Sequence, residues 1–162
     1  MRWFLIDQLL ECEPGRRAVG VKTFPLSDLF FLDHFTGNPI VPGVLQIEMV
    51  AQTGGKSLRL LRPEMQALIG AVKSAKFIRP IRPGDRCRIT VDVVTHNDYA
   101  IESGIVEVDG VRVCQAELLA VFVPRALAEP PEQDLIIGAW QRRHGGQHEP
   151  LAVGERAHTV VA

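Results

Sequence analysis

His34-Phe35-Thr36-Gly37-Asn38-Pro39-Ile40-Val41-Pro42-Gly43-Val44-Leu45-Gln46-Ile47-Glu48 runs without a break from a loop into a helix. Each of the two prolines fixes its own φ and biases the residue before it away from helical geometry, so the segment up to Pro42 is held extended. Gly43 then opens an apolar segment with helical period that reaches Leu61 and sets Val44, Ile47, Val50, Ala51, Gly54, Leu58 and Leu61 on one expected core face. No other stretch keeps that period for as long. Gly54-Gly55 in its middle costs about 1 kcal/mol per glycine relative to alanine, which points to a neighbour packed too close for a side chain, such as a strand crossing the helix.

Around this helix the rest reads as strands. Trp3 to Leu10 and Arg16 to Thr23 flank a Pro14-Gly15 turn and read as a hairpin, and a short helical turn is expected after Ser27. Beyond Pro63, Gln66 to Ile78, Asp85 to Thr95, Ala100 to Val108 and Val111 to Val123 are four further strands. Pro80 to Gly84 and Asn97-Asp98 interrupt them, and Asp109-Gly110 is a strong two-residue hairpin signal. Two strands, one helix and four strands define an α+β fold with a largely antiparallel sheet around or against a single helix.

A chain of 162 residues suits one core-forming domain, and a net charge of -1 supplies no general basic excess for nucleic acid. Cys12, Cys87 and Cys114 are odd in number and lack metal-ligand spacing, so they read as reduced core thiols. No apolar run approaches the length of a membrane span or of a secretion signal, and the expected location is the cytoplasm. The expected division is a main domain over residues 1–124 and a Pro/Gly-rich C-terminal extension over 125–162. Leu135 to Trp140 is too apolar for a free tail and is expected to dock weakly on the body or on a partner subunit. His144 and His148 have the spacing of a helical metal pair, but Gly145-Gly146 between them argues against a helix there.

The chemistry concentrates in the opening segment. His34 can take a proton, Glu48 can give one, and the free amides of a helix start can steady an oxyanion. That set suits removal of a proton next to a carbonyl and expulsion of water. Glu48, Gln52 and Arg59 share one side of the helix, where periodicity alone would predict only a solvated stripe. Lys73, Lys76, Arg79, Arg82, Arg86 and Arg88 form a basic cluster around the Pro-rich turn; either they are solvated strand faces, or they dock an acidic partner.

His34-Phe35-x-Gly37-x-Pro39-x-x-Pro42-Gly43-Val44, Glu48-x-x-Ala51-Gln52 and Lys76-Phe77-x-Arg79-Pro80-x-x-Pro83-Gly84-Asp85 together resemble the 3-hydroxyacyl-acyl-carrier-protein dehydratases of the FabZ type. The resemblance runs in register from about Phe4 to about Val123. It implies a hot-dog fold, with an antiparallel sheet wrapped around one long central helix, and a cytoplasmic homodimer or a trimer of such dimers. It also implies dehydration of (3R)-3-hydroxyacyl thioesters to trans-2-enoyl thioesters, on an acyl carrier protein and with no metal or organic cofactor, in fatty acid or specialised acyl or polyketide synthesis. His34 and Glu48 match the catalytic histidine and acid, which in the family face each other across a dimer interface. Gly43 matches the residue whose amide polarises the thioester carbonyl, with the Val44 amide beside it expected to steady the enolate-like charge, and Gln52 matches a glutamine that orders the acid or its water. Phe35 and Phe77 are expected to line the acyl tunnel, while Arg79, Arg82 and Arg86 are expected to dock the carrier. The glutamate at position 48 is closer to the FabZ than to the FabA type.

Asp33 stands where the family usually has glycine and Thr36 where it usually has proline. A charged neighbour at 33 would hold His34 as imidazolium and spoil it as a base. Two alternatives therefore stand beside the dehydratase: a thioesterase on the same fold, and a non-catalytic carrier-binding subunit.

Overall fold

Asp109 and Gly110 both lie at positive φ, 50° and 75°, the backbone a two-residue hairpin turn requires, and they join the two strands at the centre of the C-terminal meander. The computed structural model describes residues 4–125 and 130–144. Its strands are β1 Gln8–Glu13, β2 Arg17–Thr23, β3 Met65–Phe77, β4 Arg86–Thr95, β5 Tyr99–Val108 and β6 Val111–Pro124. All pairings are antiparallel and the spatial order is β1-β2-β4-β5-β6-β3. Helix α1, Gly43–Leu61, lies against this sheet and starts and ends where its sequence signals put it. A 3-10 turn at Leu29–Leu32 precedes it. With this sheet around one long helix, the chain has the hot-dog fold.

The four later strands fall within a residue or two of their expected limits, whereas the first strand is displaced. Trp3 lies outside the described residues, Leu5 and Ile6 form a buried lead-in, and pairing begins only at Gln8. Glu11 and Glu13 continue the strand because their side chains point outward while Cys12 points in. Strand β3 is an edge, and its long open side exposes Leu68, Ile69 and Val72.

The buried face of α1 also differs from the expected one. Leu45, Gln46, Met49, Val50, Thr53, Gly54, Ser57 and Leu58 are buried, while Val44 is 70% exposed and Leu61 40%. The physical reason is that polar residues share the inner stripe and donate to backbone carbonyls close by. Thr53 Oγ1 donates to the Met49 carbonyl at 2.7 Å, Ser57 Oγ to Gly54 at 2.8 Å and Gln46 Nε2 to Val41 at 3.3 Å. An apolar count therefore sets the phase of the helix too far toward Val44. Of the two mid-helix glycines, only Gly54 meets a neighbour: a Cβ there would stand 2.7 Å from the carboxyl carbon of Glu102 on β5, whereas Gly55 faces open space.

The C-terminal segment carries a helix. Helix α2, Leu135–His144, lays Trp140, with Ile136 beside it, against Ile6, Leu9, Cys12 and Ala18, a second apolar cluster separate from the main core. Ile137 is fully buried and Trp140 is 6% exposed. Asp134 caps the helix by accepting from the Ile136 and Ile137 amides at 3.0 and 3.1 Å. Because the helix satisfies its own backbone, docking is deeper than six apolar residues in a flexible tail would give. Gly145, Gly146 and His148 lie outside the described residues; His144 ends α2 with its Nδ1 3.0 Å from the Trp140 carbonyl oxygen.

Candidate active site

Pro42 at the N-cap has no side-chain cap to offer, so the first amides of α1 are left to other partners. The amides of Gly43 and Val44 find no acceptor among the described residues. Phe77, at the end of β3, covers this helix start: a Cβ at residue 43 would stand 2.9 Å from its ring. The preceding loop is tied down from both sides. The His34 amide donates to Phe30 at 2.9 Å, the Ile40 amide returns to the His34 carbonyl at 2.9 Å, and the Val41 amide donates to Ile81 at 2.8 Å.

His34 Nδ1 lies 3.0 Å from the Ile40 carbonyl oxygen, and its ring stacks on Phe35 with centroids 4.2 Å apart. A carbonyl can only accept, so Nδ1 carries the hydrogen, and the neutral ring keeps its lone pair on Nε2. Asp33 is exposed, and no contact pairs its carboxylate with the ring among the described residues.

Glu48 belongs to a different surface. It lines one end of a cleft of about 530 Å³ along the outer side of α1, together with Ala51, Gln52 and Gly55. Gln52 Nε2 donates to Glu48 Oε1 at 3.0 Å while its Oε1 accepts the Leu5 amide at 2.9 Å, so the amide is pinned and the carboxylate is aimed by it. At the other end the cleft is lined by Lys56, Arg59, Arg125 and Asp134. Lys56 Nζ donates to Asp134 Oδ2 at 2.7 Å, and Arg59 Nη1 stands 4.0 Å from the same oxygen. Burial alone would raise the Asp134 carboxyl, but the Lys56 hydrogen bond and charge, with the two helix amides, hold it below its ordinary value.

The expected site residues thus fall into two groups within one chain. Phe77 covers Gly43 at the helix start, His34 and Phe35 lie in the loop that leads into it, and Glu48 and Gln52 lie in the cleft, which His34 does not line. Phe35 and Phe77, expected as tunnel walls, are about half exposed, at 54% and 52%. Arg79, Arg82 and Arg86 are exposed on and beside the Pro-rich turn, and Arg82 Nη1 donates to Asn38 Oδ1 of the histidine loop at 3.0 Å. Lys73 and Arg88 of the same basic cluster instead pair with Glu117 and Glu11.

The residue missed in the sequence is Glu102. It is 2% exposed, packed under Gly54 on the inner face of β5, and burial together with the nearby charge of Glu48 pushes its carboxyl up to about 8. The available signal was a glutamate at an inward position of an alternating strand, between Ala100 and Gly104. The three thiols are free and buried, and burial pushes Cys12 and Cys87 to about 12 and Cys114 to about 11, so they are inert near neutrality.

Residues 11–123 match the family model described as ApeI-like, ApeI dehydratase. The chain belongs to the ApeI-like dehydratases. It is similar to the 3-hydroxyacyl-[acyl-carrier-protein] dehydratase FabZ of Syntrophotalea carbinolica, 37% identical over 76% of this chain and 87% of that protein. The corresponding enzyme of Ligilactobacillus salivarius is 42% identical over 70% of this chain and 84% of its own length. Among solved structures, this dehydratase family member matches the dehydratase heterocomplex ApeI:P from Xenorhabdus doucetiae at TM-score 0.57 and 16% identity, over 72% of this chain and 96% of that one. A hypothetical thioesterase from Streptococcus pneumoniae, solved with coenzyme A, matches at TM-score 0.59 and 14% identity over 73% and 89%. At such identities the structural matches speak for the shared fold alone.

Proposed function

We propose that the protein is a hydro-lyase that converts (3R)-3-hydroxyacyl groups, carried as thioesters on an acyl carrier protein, to trans-2-enoyl thioesters. His34 Nε2 takes the proton α to the thioester carbonyl, and the amides of Gly43 and Val44 meet the enolate-like oxygen. Glu48, aimed by Gln52, gives its proton to the departing hydroxyl, which leaves as water. The proton taken by His34 and the one lost by Glu48 restore each other through solvent between turnovers, so the reaction balances with no redox partner. The observation that carries the reading is the commitment of both polar groups in a chain of the dehydratase family: His34 has Nδ1 spent on Ile40, and Glu48 is tethered at the wall of a cleft.

The acid and base of one site come from two subunits of a homodimer, and the open β3 edge with its apolar residues is the surface for a second copy. The carrier is steered by Arg79, Arg82 and Arg86 beside the histidine loop, and the protein works in the cytoplasm with its three thiols reduced. Mass spectrometry of a 3-hydroxyacyl carrier protein incubated with the purified chain tests the reading. Loss of water is the expected result. Loss of the whole acyl group would make it a thioesterase, and an unchanged substrate would make it a non-catalytic subunit.

A further inference from the structure

Gln46 stands in the first turn of α1 and is 3% exposed, yet its side chain bonds outside the helix. Thr53 and Ser57, on the same inner side, donate to Met49 and Gly54 within α1. Gln46 reaches back instead: Nε2 donates to the Val41 carbonyl at 3.3 Å, ahead of the Pro42 N-cap, and Oε1 is buried with no partner among the described residues. An apolar side chain of equal length would avoid the desolvation of that oxygen, but it could not hold Val41.

Two peptide planes meet at Val41. The Ile40–Val41 plane carries the Ile40 carbonyl, 3.0 Å from His34 Nδ1, and the Val41 amide, which donates to Ile81 at 2.8 Å. The Val41–Pro42 plane has no N–H, because proline lacks one, and no backbone amide among the described residues donates to its carbonyl. Gln46 supplies the donor there. Each plane is rigid and only two torsions join them, so holding both fixes the backbone at Val41 and with it the aim of the Ile40 carbonyl.

We propose that Gln46 is a positioning residue for the base: by holding the Val41–Pro42 peptide it aims the Ile40 carbonyl at His34 Nδ1 and so keeps the lone pair on Nε2. This deepens the reading of His34 as the base and rests on it. Free imidazole favours the hydrogen on Nε2, the form that cannot take a proton there, so the working tautomer has to be held by an acceptor at Nδ1. The Arg82 bond to Asn38 at 3.0 Å steadies another part of the loop and touches neither plane. The competing account is that Gln46 only fills space beneath the helix start.

Nitrogen–proton correlation spectra of the histidine-labelled full chain at mildly alkaline pH separate the accounts, with the His34 ring assigned by its loss in His34→Ala. The native ring is expected in the Nδ1–H form. Gln46→Met, of equal length and without a donor, should move part of the population to Nε2–H and lower kcat about tenfold with KM nearly unchanged, as for a reacting group slightly misaimed. Gln46→Leu repeats the test with a different shape. Thr53→Val, which removes a buried bond confined to the helix, should leave ring and kcat at their native values. A native ring with its hydrogen on Nε2, a ring unmoved by the Gln46 variants, or an equal shift from Thr53→Val overturns the proposal. The ring is read without substrate, so a native protein that fails to dehydrate a 3-hydroxyacyl thioester counts against the proposed reaction alone.

Discussion

Helix α1 carries polar residues on two sides, and they are held in opposite ways. On the side against the sheet, the side chains of Gln46, Thr53 and Ser57 donate to backbone carbonyls a few residues away, and Glu102 of the distant β5 sits in the gap left by Gly54. On the outer side, Gln52 is bound by Leu5 from the N-terminal lead-in, and Lys56 by Asp134 from the C-terminal segment. Side-chain donors that bond nearby backbone carbonyls are positioned by the helix's own chain. Groups fixed by distant segments are oriented in a surface that is still open, and such an arrangement is expected where a ligand must be met by pre-aimed side chains.

Removing the reacting groups themselves is the most severe way to break this comparison. His34→Ala and Glu48→Gln should each lower dehydration by roughly 10²- to 10⁴-fold, the range for loss of a positioned base or acid. Melting temperature and oligomeric state should stay close to the native values. If the two residues of one site come from different subunits, mixing the two inactive variants restores part of the activity, since a mixed dimer has one intact site. Mixtures that stay inactive after demonstrated subunit exchange would place both groups on one chain and leave the division of the site described above without a purpose.

The outer side depends on the C-terminal segment, because Asp134 is set by the helix it caps. Trp140→Ala should cost about 3 kcal/mol of stability, the lower end of values for a large buried aromatic, since the indole sits against Ile6, Leu9 and Cys12. Urea unfolding followed by circular dichroism measures this. A midpoint that does not move would mean that α2 opens separately from the core and that the far end of the cleft is not stably walled.

How much of this was legible in the sequence differs between the same two sides. The limits of α1 could be read because Pro42-Gly43 opens it and its period runs unbroken to Leu61, and the strand pairs could be read because Asp109-Gly110 and the proline turns space them. The inner phase of the helix could not be read, since Thr53 and Ser57 look solvent-facing until their backbone acceptors are known. Glu48, Gln52 and Arg59 fall on one side by spacing alone. Their partners, however, come from Leu5 and Asp134, at separations of 47 residues for Leu5 to Gln52 and 78 for Lys56 to Asp134, which no local pattern reports. Glu102 was hidden for a related reason: a strand shows that a position points inward, not that a glycine across from it has made room for a carboxyl.

The two shifted carboxyls, Glu102 and Asp134, sharpen the comparison through pH, because their shifts have opposite signs. Asp134 is held below its ordinary value, so its contribution to stability is present above that value and is lost as pH falls through its lowered pKa. Glu102 is raised from 4.5 to about 8, so folding takes up a proton in that window, and stability declines as pH rises from about 4.5 to about 8. Denaturation midpoints measured across the range should therefore peak on the acid side of neutrality. Glu102→Gln should flatten the decline without touching the acid limb, and Asp134→Asn should do the reverse. A Glu102→Gln protein that keeps the full decline would show that the gap under Gly54 leaves this carboxyl solvated.

Charge reversal on the exposed arginines should give the smallest effect. Arg79→Glu and Arg86→Glu alter side chains at the rim of the histidine loop, where a carrier protein would approach, and exposed charges of this kind act mainly on encounter and are screened over roughly 10 Å at 0.1 M salt. The expected outcome is a rise of a few-fold in KM for carrier-bound substrate, little change in kcat, and almost none for a small pantetheine thioester. Added salt should reproduce the effect in the native protein and shrink it in the variants. Arg82 needs separate treatment, because its guanidinium also holds Asn38 in the loop that presents His34. Arg82→Glu should lower kcat on both substrates as well as raising KM on the carrier. Equal losses from all three arginines on both substrates would assign the whole cluster to shaping the loop, and leave the carrier to be met by another surface.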